Sequence, residues 1–206
     1  MFLEAAQLAG ISSDFSWYVW VDHFTYAIAA PVPDMASFDD PMAMMRQFQG
    51  TPGQDILEAA EARFNQLDYQ VVSREVIERV ADWGYAPENA ELPGFAEIID
   101  VWFKPNKSAE FDAVIKDIMA FFADLGFPYE VRGYRIHFGD SGRASFHFRY
   151  ASPGPYFGEN SIESLMEEQG GGEEWQGLIA RFVDVVIDET SVRWTYRPEL
   201  SFPGSN

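Results

Sequence analysis

Between residues 133 and 150 the chain reads GYRIHFGDSGRASFHFRY, with apolar and polar residues alternating at almost every position. A period of two predicts strands, here at about 129–138 and 144–151, and the small polar GDSGR between them suits a hairpin loop. Upstream, FAEIIDVWFK (95–104) is rich in β-branched and aromatic residues and predicts another strand. The following SAEFDAVIKDIMAFFADLG (108–126) changes period: Phe111, Ile115, Ile118 and Phe122 fall on one helical face, with Ser108 as N-cap and Gly126 as the stop. Beyond the hairpin, NSIESLMEEQ and EEWQGLIARFVDVV predict a helical region broken at Gly170–Gly172, and TSVRWTYRP closes with a strand. The order is β-α-β-β-α-β.

The N-terminal half repeats the later part of this plan. MFLEAAQLAG predicts a helix end, WYVWVDHFTYAIA two tightly joined strands, Pro41 the first position of a helix, 54–67 a further helix, and 76–86 a last strand. Ordered matches link the halves: FTYAIAAPVP (24–33) with FHFRYASPGP (146–155), EARF (61–64) with IARF (179–182), and WGYAPE (83–88) with WTYRPE (194–199). These matches predict a duplication, with one copy over 1–92 and another over 93–206. The first copy has no opening strand.

The β-α-β-β-α-β order, the Pro-x-Pro after the third strand and the tandem repetition resemble the dimeric α+β-barrel superfamily. That group takes in antibiotic-biosynthesis-type monooxygenases, EthD-like and NIPSNAP-like proteins, and chlorite-dismutase-like haem proteins. The resemblance is topological, spans nearly the whole chain and includes no catalytic signature. It implies an α+β fold of two tandem ferredoxin-like repeats, their antiparallel sheets facing each other as a barrel with the helices outside. It also implies a small organic molecule, or haem, in the enclosed space.

Composition narrows the functional classes. The 206-residue chain is 47% hydrophobic and 16% aromatic, enough for a real core, and it has no cysteine for a thiolate metal site or nucleophile. Thirty-three acidic residues against 14 basic give a formal net charge of −19, which argues against nucleic acid as a partner. No apolar run reaches the ~20 residues of a membrane span, and the N-terminus lacks a basic signal-peptide region, so a cytoplasmic protein is expected. The three histidines offer no metal-binding spacing.

Against that acidity, the opening stretch concentrates positive potential. If its two strands pair Phe138 with Ala144 or with Phe146, then Tyr134, Ile136, Phe138, Phe146, Phe148 and Tyr150 share the helix-covering face. Arg135, His137, Ser145, His147 and Arg149 share the other. His147 and His137 are then the candidate acid–base pair, because histidine titrates near neutral pH, and Arg135 and Arg149 the candidate oxyanion stabilisers. The same parity in the first copy adds Tyr18, Trp20 and His23 as ligand-binding candidates. From the strand 97–104, either Asp100 and Trp102 or their neighbours join them.

The reading is a small-molecule binder, for an anionic or aromatic ligand, acting as a cofactor-independent monooxygenase-like enzyme on an activated phenol or enol. No cofactor is expected; haem on a single axial His147 or His137 is the exception that the resemblance would bring. The alternative is a non-catalytic protein of the same fold that self-associates as a homodimer. GDSG (139–142) matches the nucleophile segment of chymotrypsin-like proteases, but helices between the strands exclude that scaffold, and the hairpin reading stands.

Overall fold

The computed structural model describes residues 2–11, 16–23, 25–32, 34–39, 46–67, 71, 73–89, 93–138, 140, 142–151 and 162–202. The helix opening expected at Pro41 and the Pro-x-Pro at 153–155 lie outside these. The chain divides into two compact units, Met1–Val72 with Tyr196–Asn206, and Ser73–Thr195.

In the first unit, helix α1 (Phe2–Ala9) packs against helix α2 (Gln54–Phe64). Small residues allow the approach. Ala5 and Ala6 are fully buried, and a Cβ on Gly53 would stand 2.2 Å from the Ala5 carbonyl oxygen, so only glycine fits there. Ile11, Phe48, Leu57 and Phe202 complete this core. Strands β1 (Tyr18–Asp22) and β2 (Thr25–Ala29) form a tight hairpin, turning at His23, whose φ of 49° is left-handed. The C-terminal segment is tied to β1: Ser201 Oγ accepts from Val19 N at 2.9 Å and donates to Arg197 O at 2.8 Å.

The second unit holds strands β3 (Val76–Arg79), β4 (Phe95–Phe103), β5 (Glu130–Phe138), β6 (Arg143–Tyr150) and all but the last residue of β7 (Val186–Tyr196). Its helices are α3 (Ser108–Asp124), α4 (Ile162–Gln169) and α5 (Gly172–Val185). The strands lie in the order β7-β4-β6-β5-β3, every neighbour antiparallel. From β4 onward this is the ferredoxin-like β-α-β-β-α-β arrangement, and the α+β class expected from the sequence is the class observed. The strand expected over 76–86 is shorter: β3 ends at Arg79 and pairs with β5 at the outer edge of this sheet.

One face of the sheet carries the core. Phe111, Ile115, Ile118 and Phe122 of α3 are all buried, as their spacing predicts, and pack with Val101, Val131, Ala144 and Phe146 from the strands and with Leu178 of α5. Trp83, 2% exposed, lies edge-on to Phe111 at 5.6 Å and anchors its Nε1–H on Asp112 at 2.8 Å. Ser108 differs from its expected role. It is the first helical residue and not the N-cap, because the turn Pro105–Lys107 runs directly into α3.

Candidate functional site

The sheet register decides which polar residues meet. On β5 and β6, Glu130 is opposite Arg149, Arg132 opposite His147, Gly133 opposite Phe146, Tyr134 opposite Ser145, and Arg135 opposite Ala144. This pairing is offset by an odd number of residues from both registers expected above. An odd offset turns one strand over relative to the other. Arg135 and His137 therefore do not share a face with His147 and Arg149, and that part of the expectation is corrected. The cause is the core. Gly133 and Val131 face the helices, where a Cβ on Gly133 would lie 2.4 Å from Trp83 Cβ and 2.5 Å from the Trp83 carbonyl oxygen, so Trp83 occupies the space a side chain would need. The tip of β5 pairs with β3 instead, Ile136 opposite Ile77 and Phe138 opposite Val76.

On the face away from the helices, the pairings lay out transverse rows across β7, β4, β6 and β5. Trp194, Ala96, Arg149 and Glu130 form the first. Val192, Ile98, His147 and Arg132 form the second, and Thr190, Asp100, Ser145 and Tyr134 the third. Asp188, Trp102 and Arg143 follow. Neighbours within a row stand about 4.8 Å apart and rows about 6.8 Å apart. Asp100 and Trp102, left open against their neighbours by the sequence, are the residues on this face.

Glu130 ties the cluster together. Arg132 Nε donates to its Oε1 at 2.6 Å and Arg149 Nη1 to its Oε2 at 2.5 Å. The carboxylate is largely buried, its side chain 13% exposed. The Tyr134 ring lies 4.5 Å from the His147 ring. Burial first, and then the charges of Arg149 and Arg132, push the His147 pKa down to about 4, so its imidazole is neutral at pH 7. The near-neutral titration expected for His147 does not hold in this setting. Burial and Arg132 also lower the Arg149 pKa, with Glu130 opposing them. Trp194 Nε1 is buried without a hydrogen-bond partner among the described residues.

A second ion-pair group sits at the far end of the face. Arg143 reaches Asp100 at 3.0 Å and also pairs with Glu75, while its guanidinium lies 5.7 Å from the Trp102 ring centre. Trp102 Nε1 donates to Asp140.

The remaining candidates lie elsewhere. Arg135 sits over Trp83 at 5.3 Å, and His137, 43% exposed, pairs with Glu78 at 2.8 Å. In the first unit, Tyr18 and Trp20 contact Tyr196, with ring centres at 6.5 and 4.9 Å. His23 is a turn residue, 86% exposed and paired with Asp22 at 2.6 Å. An open depression between α3 and α5, lined by Asp117, Asp124, Glu174 and Arg181, lies on the helical side of the second unit, away from these residues. Among the described residues no group of three or more His, Asp or Glu is placed to hold a metal ion. No described helix is long and apolar enough to cross a membrane.

The sequence reading missed Glu130, Arg132, Arg143 and Trp194. The signal for the first two was present: they share Tyr134's parity, so assigning Tyr134 to the helix-covering side removed them together.

The fold and this face can be set beside known proteins. No protein-family model and no curated protein matches the sequence. Solved structures share the fold, among them two each named a "putative monooxygenase". The one from Fusobacterium nucleatum subsp. nucleatum ATCC 25586 superposes with a TM-score of 0.55 at 12% identity, covering 95% of this chain and 84% of its own. The one from Lactobacillus acidophilus NCFM gives 0.52 at 10% identity, covering 95% and 85%. The chain therefore shares the α+β fold of these two structures.

Proposed function

We propose that the face carrying His147, Arg149, Arg132 and Tyr134 binds a small organic anion or an ionisable phenol or enol, and that the protein is a monooxygenase-like enzyme. The observation that supports this reading is the neutral imidazole held between two guanidiniums beside a phenol ring, on the sheet face that the unit's own helices leave uncovered. A neutral imidazole is the base form, and guanidiniums beside it stabilise the anion that proton removal creates.

The chemistry follows from those roles. His147 takes the proton of an enol, and Arg149 and Arg132 hold the enolate oxygen. The enolate carbon gives its electrons to dioxygen, and His147 returns a proton to the resulting peroxide. Loss of water leaves a ketone. In balance, one methylene group and one dioxygen become one carbonyl and one water, the substrate supplying all the electrons. Trp194 offers a further N–H donor to a ligand oxygen.

Anthrone, whose enol is readily ionised, is the probe. Oxygen uptake should match anthraquinone formation one to one, with kcat/KM level above pH ~5 and falling as His147 protonates near pH 4. His147→Ala and Arg149→Ala should each lose on the order of 100-fold, typical of a removed acid–base or oxyanion group. Binding and turnover untouched in both variants would reject the assignment.

A further inference from the structure

We infer that Glu130 sets the charge of ligand this face accepts, favouring monoanions over dianions. This rests on the face being the binding site, as proposed above. Glu130 is a positioning residue in this role and takes no part in proton transfer.

The charge count is local and follows from the contacts. Arg132 and Arg149 bring two positive charges, His147 is neutral, and Glu130 subtracts one, leaving a net +1. The other ionisable residues on the face supply no further unmatched cation. Arg143 is already matched by Asp100 and Glu75, and Asp188 stands beyond Trp102 in the same row. A single negative charge neutralises the site, whereas a second would have no unmatched cation in a protein of net charge −19.

The geometry keeps the arginines usable while they hold Glu130. Each guanidinium has five N–H groups and places one of them on this carboxylate at 2.5–2.6 Å. Glu130 thus orients both planes without filling them. Its position at the end of a row, opposite Arg149 and diagonal to His147, puts it beside the pair and not between the arginines and the imidazole.

The test compares benzoate with phenyl phosphate, a monoanion and a dianion at pH 8, each followed by the shift of the His147 Cε1–H resonance. The unaltered protein should bind benzoate more tightly. Glu130→Gln raises the local charge to +2 and should move the preference toward the dianion by about tenfold, the scale of one added charge at 6–8 Å in a partly screened site. The double variant Glu130→Gln/Arg132→Gln restores +1 and should return the preference to benzoate. It also removes one of the two arginines that Glu130→Gln leaves without their carboxylate, so it guards against a single variant that folds poorly. A preference changed less than twofold by Glu130→Gln, a preference that stays with the dianion in the double variant, or phenyl phosphate favoured by the unaltered protein, would overturn the role of Glu130 alone. Neither probe moving the His147 resonance in the unaltered protein would overturn the binding face itself, and this inference with it.

Discussion

His147 makes the sharpest prediction, because its environment fixes both a sign and a size. In the unfolded chain the imidazole titrates at about 6.5; in the folded protein burial, Arg149 and Arg132 hold it down to about 4. Between those values the unfolded state binds the proton and the folded state does not, so stability falls as the pH drops through this window. Above pH 6.5 the group costs nothing, and below about 4 the loss is complete. At ~1.4 kcal/mol per pH unit the difference amounts to about 3 kcal/mol.

Many carboxylates also titrate in this range, so the comparison must be with His147→Gln, which keeps them all. Urea unfolding of both proteins from pH 7.5 to 4 should show the native protein losing about 3 kcal/mol relative to the variant. With only three histidines in the chain, the Cε1–H resonance lost in His147→Gln identifies the group directly. Its midpoint should lie near 4. A midpoint at 6 or above, with a stability difference flat across the range, would refute the placement of a neutral imidazole between the two guanidiniums.

Two further perturbations probe the frame that sets the register. Gly133→Ala pushes a methyl into Trp83, where it would meet the Trp83 Cβ at 2.4 Å and the Trp83 carbonyl oxygen at 2.5 Å. It should cost on the order of 2–3 kcal/mol in urea unfolding, the upper part of the overpacking range, and a change under ~0.5 would show that the close approach is not rigid. Phe111→Ala removes a ring stacked on Phe103 at 4.5 Å and edge-on to Trp83, in a fully packed position 1% exposed. A loss of about 3–5 kcal/mol is expected, with the His147 resonance keeping its midpoint, since the helices cover the opposite face of the sheet.

Local structure was legible in the sequence. The period of two along 95–104, 129–138 and 144–151 and the period near 3.6 along 108–126 gave each element its type and, within a residue or two, its limits. Alternation within one strand also placed Ser145, His147 and Arg149 together, because side-chain direction along a single strand needs no partner. The alignment of neighbouring strands was not legible. β5 offered two faces with apolar residues, Val131/Gly133 and Tyr134/Ile136/Phe138, and the more hydrophobic one, the second, looked like the core side. Trp83, distant in sequence, settles onto Gly133 and makes the sparser face the buried one. That single packing choice shifts the register by an odd count, sends Arg135 and His137 away from His147, and brings Glu130, Arg132 and Tyr134 to it. Register depends on which side chains can share a volume, a property of the packed whole that no one strand's pattern contains.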